Sequence, residues 1–259
     1  MTPRTPCFIV GGAPRSGTTW LYRLLERHPD IHLARPLRPE PKFFLVDELY
    51  ARGLGYYRER WFRDVPPGAR SGEKSSNYLE SPSAAGRIAQ DLPWVKLVFI
   101  LRNPVERAYS NYLWTRMNGL ETETFERALA LEAQRERDCP PELRYARPHA
   151  YFSRGQYAEL LRPYLARLPR EQMLVLQFEE ILQSPQALTR RLHSFLDVAP
   201  RTADANGLEA ANPSEPEGSR LDPVTRRELH MRYAESNRAL SELLGVDFSG
   251  WEAPRAPTG

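Results

Sequence analysis

Phe8-Ile9-Val10 runs into Gly11-Gly12, and from Thr18 to His28 a helical pattern sets Trp20, Leu21, Leu24 and Leu25 on one face. A short apolar strand, a glycine-bearing turn and an amphipathic helix form the first half of a βαβ unit, which calls for a parallel sheet covered by helices. The rest of the chain has to supply that sheet. Val95–Leu101 is a continuous apolar run of the kind buried on both faces of a parallel sheet. Met173–Phe178 predicts another strand, and Ile31–Ala34 and Ala69–Glu73 predict shorter ones. Helical patterns occupy Ser83–Gln90, Pro104–Met117, Phe125–Arg137, Gln156–Leu168, Pro185–Leu196 and Pro223–Leu244. The alternation predicts an α/β chain of three layers, with a central, mainly parallel sheet flanked by helices.

Length and composition narrow the function classes. With 259 residues, 41% of them hydrophobic and 27% charged, the chain can bury a sizeable core. The 24 prolines cluster at Pro36–Pro41, Pro66-Pro67, Pro140–Pro148 and Pro213–Pro216, which read as loops; with no internal repeat, a single domain over 1–259 is expected. No apolar run approaches the ~20 residues of a membrane span, and the apolar stretch before Gly11 is too short for a signal-peptide core. A soluble, cytoplasmic protein is therefore expected. Its 36 basic and 33 acidic residues are nearly balanced, which argues against a nucleic-acid partner. Cys7 and Cys139 make neither a disulfide framework nor a metal site.

Only Lys42, Lys74 and Lys96 are lysines; the other basic residues are arginines. A lysine kept against that bias can place a compact charge where a planar guanidinium does not fit. Lys96, beside the long apolar run, reads as a strand-end charge.

Gly12-Ala13-Pro14-Arg15-Ser16-Gly17-Thr18-Thr19 lies between the first strand and the first helix. Backbone N–H groups in such a turn, backed by a helix N-terminus, cradle an anion. The glycine spacing matches the start of the nucleotide-binding pattern G-x-x-x-x-G-K-[ST], giving a P-loop-like turn, but Thr18 holds the lysine position. That opposes a nucleotide triphosphatase or an ordinary kinase, although Arg15 can supply a cation from within the loop.

Pro14-Arg15-Ser16-Gly17-Thr18-Thr19-Trp20-Leu21 resembles the 5′-phosphosulfate loop of sulfotransferases that use 3′-phosphoadenosine 5′-phosphosulfate (PAPS). The resemblance implies that Arg15, Ser16, Gly17, Thr18 and Thr19 hold the donor's 5′-phosphate, with Arg15 where many members have Lys. Leu101-Arg102-Asn103-Pro104-Val105-Glu106-Arg107-Ala108-Tyr109-Ser110 resembles the family's 3′-phosphate motif, which implies donor contacts from Arg102 and Ser110. A guanidinium fork and a hydroxyl suit a terminal phosphate.

Arg38-Pro39-Glu40-Pro41-Lys42-Phe43-Phe44 resembles a Lys-Glu-x-His-Phe-Phe-type segment of heparan sulfate sulfotransferases and their bacterial relatives, extended by Gly53-Leu54-Gly55-Tyr56-Tyr57. The likeness implies that Glu40 is the general base. Lys42 stands where His is frequent, either binding an acidic acceptor or pairing with Glu40. Gly72-Glu73-Lys74-Ser75-Ser76-Asn77-Tyr78 resembles the family's Glu-Lys-Ser-Pro-x-Tyr segment, which places Lys74 beside the transferred group and the acceptor. No His lies between His32 and His149, and the five histidines show no ligand spacing. Further likenesses, at Tyr151–Tyr157 and Leu243–Trp251, extend the resemblance over roughly residues 7 to 251. Residues 207–222 are its weakest stretch; there Gly218-Ser219-Arg220 follows Glu215 and Glu217, with Arg220 as a candidate donor contact.

The resemblance thus implies a PAPS-dependent sulfotransferase that needs no metal, releases 3′-phosphoadenosine 5′-phosphate (PAP) and sulfates a small-molecule, natural-product or carbohydrate acceptor. Catalytic roles fall to Glu40, Lys74 and Arg15, and acceptor contacts to Lys42 and Lys74. The alternatives are a divergent P-loop kinase and an inactive nucleotide-binding protein.

Overall fold

The computed structural model describes residues 5–208 and 220–251. They fall into two compact units: one takes in the chain up to Arg102 and again from Pro163, and the other takes in Asn103–Arg162 and the C-terminal part.

The first unit holds five strands, β1 (Phe8–Gly12), β2 (Ile31–Leu33), β3 (Arg70–Lys74), β4 (Lys96–Leu101) and β5 (Met173–Gln177). All pairings are parallel, in the order β2-β3-β1-β4-β5. The two-residue periodicity of a strand sends Phe8, Val10, Val98 and Ile100 into one apolar layer, while Ile9, Leu97 and Phe99, equally buried, point the other way. Sheets covered on both faces are built from such unbroken apolar runs. At the centre, Phe8 of β1 presses on β3 where Gly72 has no side chain; a Cβ there would sit 2.3 Å from the Phe8 ring.

Helix α1 (Thr18–Glu26) lays Trp20, Leu21, Leu24 and Leu25 into the core, matching the predicted face. It ends before the predicted His28, because Arg27 and His28 donate to Leu24 and Leu25, three residues back, in a tightened last turn. Two helices follow β2 where none had been expected, α2 (Asp47–Tyr50) and α3 (Gly53–Trp61). The α3 sequence, with its glycines and charges, carries little helical signal. Its one fully buried side chain, Tyr57, anchors it, with its ring centroid 4.6 Å from Phe43 and 5.3 Å from Phe44. Helix α4 (Pro82–Asp91) starts on a Ser81 cap that accepts the Ala84 N–H, with Pro82 in the first turn.

The second unit contains α5 (Pro104–Met117), capped by Asn103, and α6 (Phe125–Arg137), capped by Thr124. Helix α7 (Tyr157–Leu165) carries the chain across Pro163 back into the first unit, where α8 (Glu179–Gln183) and α9 (Pro185–Phe195) follow β5. The last helix, α10 (Pro223–Leu244), belongs to the second unit, starts on an Asp222 cap and stops at Gly245 in the left-handed region. Val105, Tyr112, Phe125, Tyr151, Leu229 and Tyr233 form this unit's apolar core. Among the described residues no helix is long and apolar enough to cross a membrane.

Candidate active site

Strand β1 lies between β3 and β4, so the chain leaves it with neighbours on both sides whose carboxyl ends point the same way. In open parallel sheets, ligands bind at such a switch point, outside the carboxyl ends. Three predicted motifs of the first unit emerge there: the glycine turn after β1, Lys74 closing β3, and Arg102 directly after β4.

The turn is built for a close ligand. Ala13 N–H donates to Ile100 O at 2.8 Å, tying the loop to β4. Arg15 sits at φ 67° and Gly17 at φ 91°, left-handed conformations that fold the backbone into a concave loop. Gly17 is the N-cap of α1 and gives it no side-chain cap, so the first helical N–H groups remain for an anion. A Cβ at Gly17 would lie 2.8 Å from Ile181 and 2.9 Å from Phe178. Ser16 Oγ is buried without a hydrogen-bond partner. An orphaned buried hydroxyl in a loop of this shape fits the 5′-phosphate end of a donor nucleotide. Thr18 is buried and Thr19 half-buried beside it.

Glu40, on the proline-rich loop after β2, reaches Lys74 and forms a buried ion pair. Lys74 is therefore a partner of Glu40, whereas the sequence left Lys42 as a candidate. Ser76 donates twice to the same carboxylate, from its N–H to Oε2 at 2.9 Å and from its Oγ to Oε1 at 2.7 Å. Thr18 Oγ1 lies 3.1 Å from Ser76 Oγ, so the glycine turn and the Glu40 carboxylate share one hydroxyl. Burial alone would raise the Glu40 acid; the Lys74 charge, its hydrogen bond and those from Ser76 outweigh burial and hold the carboxyl below its ordinary value. Glu40 is thus ionised at neutral pH and can accept a proton.

Lys42 sits at φ 50°, half-buried, and its amide donates to Ser75 Oγ at 2.9 Å. Arg102 is 9% exposed, with its guanidinium 4.8 Å over the Phe178 ring, the same ring that closes on Gly17. Ser110, buried on α5, and Arg220, exposed before α10, belong to the second unit. Gly218, Ser219, Glu215 and Glu217, from the weakest stretch of the resemblance, lie outside the described residues, as do Pro213 and Pro216. The five histidines have no catalytic neighbours in view, and His28 and His193 pack edge-on inside the core at 4.8 Å. Among the described residues no group of three or more His, Cys, Asp or Glu side chains could hold a metal.

Sequence reasoning gave no role to three residues at this site. Ser76 was passed over although it stands at the family's proline position, and proline could make neither bond to Glu40. Phe178 looked like the last residue of a strand, yet its ring lies between the glycine turn and Arg102. Glu73 is fully buried in β3 and receives hydroxyl donors from Tyr57, Ser75 and Tyr78. A carboxylate inside an otherwise buried strand was the available signal for it.

Comparison with known proteins converges on one family. The sulfotransferase domain family model matches residues 5–209. Heparan sulfate glucosamine 3-O-sulfotransferase 3B1 of Mus musculus is 28% identical over 271 residues, covering 95% of this chain and 65% of the relative. The human bifunctional heparan sulfate N-deacetylase/N-sulfotransferase 3 is 31% identical over 206 residues, covering 76% of this chain and 23% of the relative. The chain thus spans less than two thirds of these relatives' lengths. A sulfotransferase from Alicyclobacillus acidocaldarius superposes with a TM-score of 0.78 at 30% identity, covering 95% of this chain and 98% of that one. A mouse sulfotransferase, SULT7A1, solved with PAP, shares the fold at 19% identity and a TM-score of 0.56, covering 92% of this chain and 88% of that one. The motifs at the carboxyl edge of the sheet and the match over most of its length agree: the chain belongs to the sulfotransferase family.

Proposed function

We propose that the protein transfers the sulfuryl group of PAPS to a hydroxyl or amine of a carbohydrate or small-molecule acceptor. The observation that carries this reading is the buried Glu40–Lys74 pair, joined through Ser76 to Thr18 of the phosphate-binding turn. The names of the heparan sulfate relatives support a carbohydrate acceptor, and the PAP complex of the mouse neighbour supports the donor class.

PAPS supplies the sulfuryl group and leaves as PAP. The chain's own part follows from charge. The transition state of such a transfer is loose and in line, so positioning and electrostatics dominate. The α1 N-terminus, Ser16 and the Gly17 turn bind the 5′-phosphate, and Arg102, directly after β4, meets the 3′-phosphate. Glu40 takes the acceptor's proton as the new bond to sulfur forms and the bond to the phosphate oxygen breaks. Lys74 and Arg15 offset the negative charge that builds on the sulfuryl and leaving oxygens. Lys42 and Lys74 face the acceptor.

The test is a screen of desulfated heparan sulfate and small phenols, alcohols and amines with labelled PAPS, followed by mass spectrometry for an added sulfuryl group. Thermal shifts with PAP and with adenosine 5′-phosphate are measured alongside. PAP at 100 times its dissociation constant should add about 2.7 kcal/mol of stability, and adenosine 5′-phosphate far less. Equal shifts would refute the 3′-phosphate assignment, and phosphoryl transfer from ATP with magnesium would favour the kinase alternative.

A further inference from the structure

Glu73 is fully buried one residue before Lys74, yet the proposed reaction gives it nothing to do. Three hydroxyls converge on it. Tyr57 Oη donates to Oε1 at 2.8 Å, Tyr78 Oη to the same oxygen at 3.1 Å, and Ser75 Oγ to Oε2 at 2.9 Å. Two of these hydroxyls also accept from backbone on the loop that carries Glu40. Lys42 N–H donates to Ser75 Oγ at 2.9 Å, and Phe44 N–H donates to Tyr78 Oη at 3.2 Å. The two clamped amides lie two and four residues beyond Glu40.

We propose that Glu73 is a positioning residue: through Ser75 and Tyr78 it holds the Glu40 loop on β3, and it loosens that hold when it takes up a proton. The inference rests on the reading of Glu40 as the base.

The hydroxyls show why the charge state matters. An ionised carboxylate only accepts, so all three O–H groups can point at it, leaving the Ser75 and Tyr78 oxygen lone pairs to face Lys42 and Phe44. A protonated Glu73 carries its own hydrogen into that crowd. One hydroxyl hydrogen must then turn away, and for Ser75 or Tyr78 the remaining directions include those from which the loop amides arrive. Among fully buried groups such a reversal is costly.

The balance of groups facing Glu73 puts this switch near neutrality. Burial raises the acid most; the hydrogen bonds from Tyr57, Ser75 and Tyr78 counter it in part, and the Glu40 charge raises it again, for a value of about 7. Tyr57 and Tyr78 stay protonated, since burial and Glu73 itself push both phenols well above their usual value. Lys74, the neighbouring residue, is ion-paired with Glu40 and not with Glu73. Glu40, held below its ordinary value, stays ionised while Glu73 titrates. An acid limb in activity near pH 7 would therefore report Glu73 rather than the base.

The test follows amide hydrogen exchange in the PAP-saturated protein, expressed as protection factors to remove the intrinsic pH dependence. Between pH 8 and pH 6, Lys42 and Phe44 should lose protection by about 10-fold, the scale of one weakened hydrogen bond to a charged network, while Val98 in β4 keeps its protection. Glu73→Gln, which resembles the protonated acid, should show the low protection at both pH values. Ser75→Ala, a milder change, should release Lys42 and leave Phe44 protected. With PAPS and desulfated heparan sulfate, kcat for Glu73→Gln should fall about 10- to 100-fold at pH 8 and lose the acid limb, with KM for PAPS unchanged. Protection that does not depend on pH, or an equal loss at Val98, overturns the proposal. Full turnover in Glu40→Gln would instead overturn the base assignment, leaving the exchange result to judge Glu73 alone.

Discussion

Replacing Glu40 by Gln separates the chemical role of the carboxylate from its structural one. The Lys74 side chain is only 3% exposed and that of Glu40 14%, so the pair is largely cut off from water. Removing one member of a buried pair typically costs about 3–5 kcal/mol, because the other charge stays behind unpaired. Here the amide oxygen can still take one hydrogen bond from Lys74 or Ser76, and the partial exposure of residue 40 adds some hydration, which brings the expected loss to about 2–3 kcal/mol. At roughly 2–4 °C per kcal/mol for a chain of this size, the melting temperature should fall by about 4–12 °C. Saturated turnover should fall by about 10²–10⁴-fold, the range for loss of a general base. PAP affinity should hold, since the proposed phosphate contacts, from the Gly17 turn and Arg102, lie on other segments. A Glu40→Gln, Lys74→Met double variant should recover most of the lost stability and none of the turnover. Saturated turnover close to wild type in Glu40→Gln would refute the reasoning and leave the pair a structural tie for the proline-rich loop.

Two further expectations concern the first unit. Gly17→Ala forces a Cβ onto φ 91° and within 2.8 Å of Ile181 and 2.9 Å of Phe178, so stability should drop by about 1–3 kcal/mol and calorimetry should show PAP binding weakened at least 10-fold. His193 is depressed to about 4, first by burial and then by the neighbouring His28. The unfolded chain binds that proton below about pH 6.5 while the native protein refuses it, so stability from this site is lost as pH falls from about 6.5 towards 4, by up to roughly 2–3 kcal/mol. His193→Asn, which keeps an acceptor for the Arg201 N–H, should narrow the gap between urea midpoints at pH 7 and pH 5; an unchanged gap would clear His193 of the effect.

Much of the scaffold was legible in the sequence, because local rules decide it. The apolar runs that begin at Phe8 and Val95 become β1 and β4, and α5, α6 and α10 have their predicted bounds, since proline and cap residues mark where each begins. The glycine turn was legible too, as only glycine takes φ 91° at Gly17 without penalty. Strand order was not, because β3 and β4 flank β1 only after crossovers that no local pattern encodes. Nor was α3, which carries weak helical signal and is held by Tyr57 inside an aromatic cluster. The division of work among carboxylates also came from the tertiary structure. The sequence showed Glu40 and Glu73 in separate motifs and offered Lys42 as one partner for the first. Only the fold brings Lys74 and Ser76 onto Glu40 and three hydroxyls onto Glu73. Burial and neighbouring charge then move the two acids in opposite directions, and both are properties of the packed chain that residue type alone does not carry.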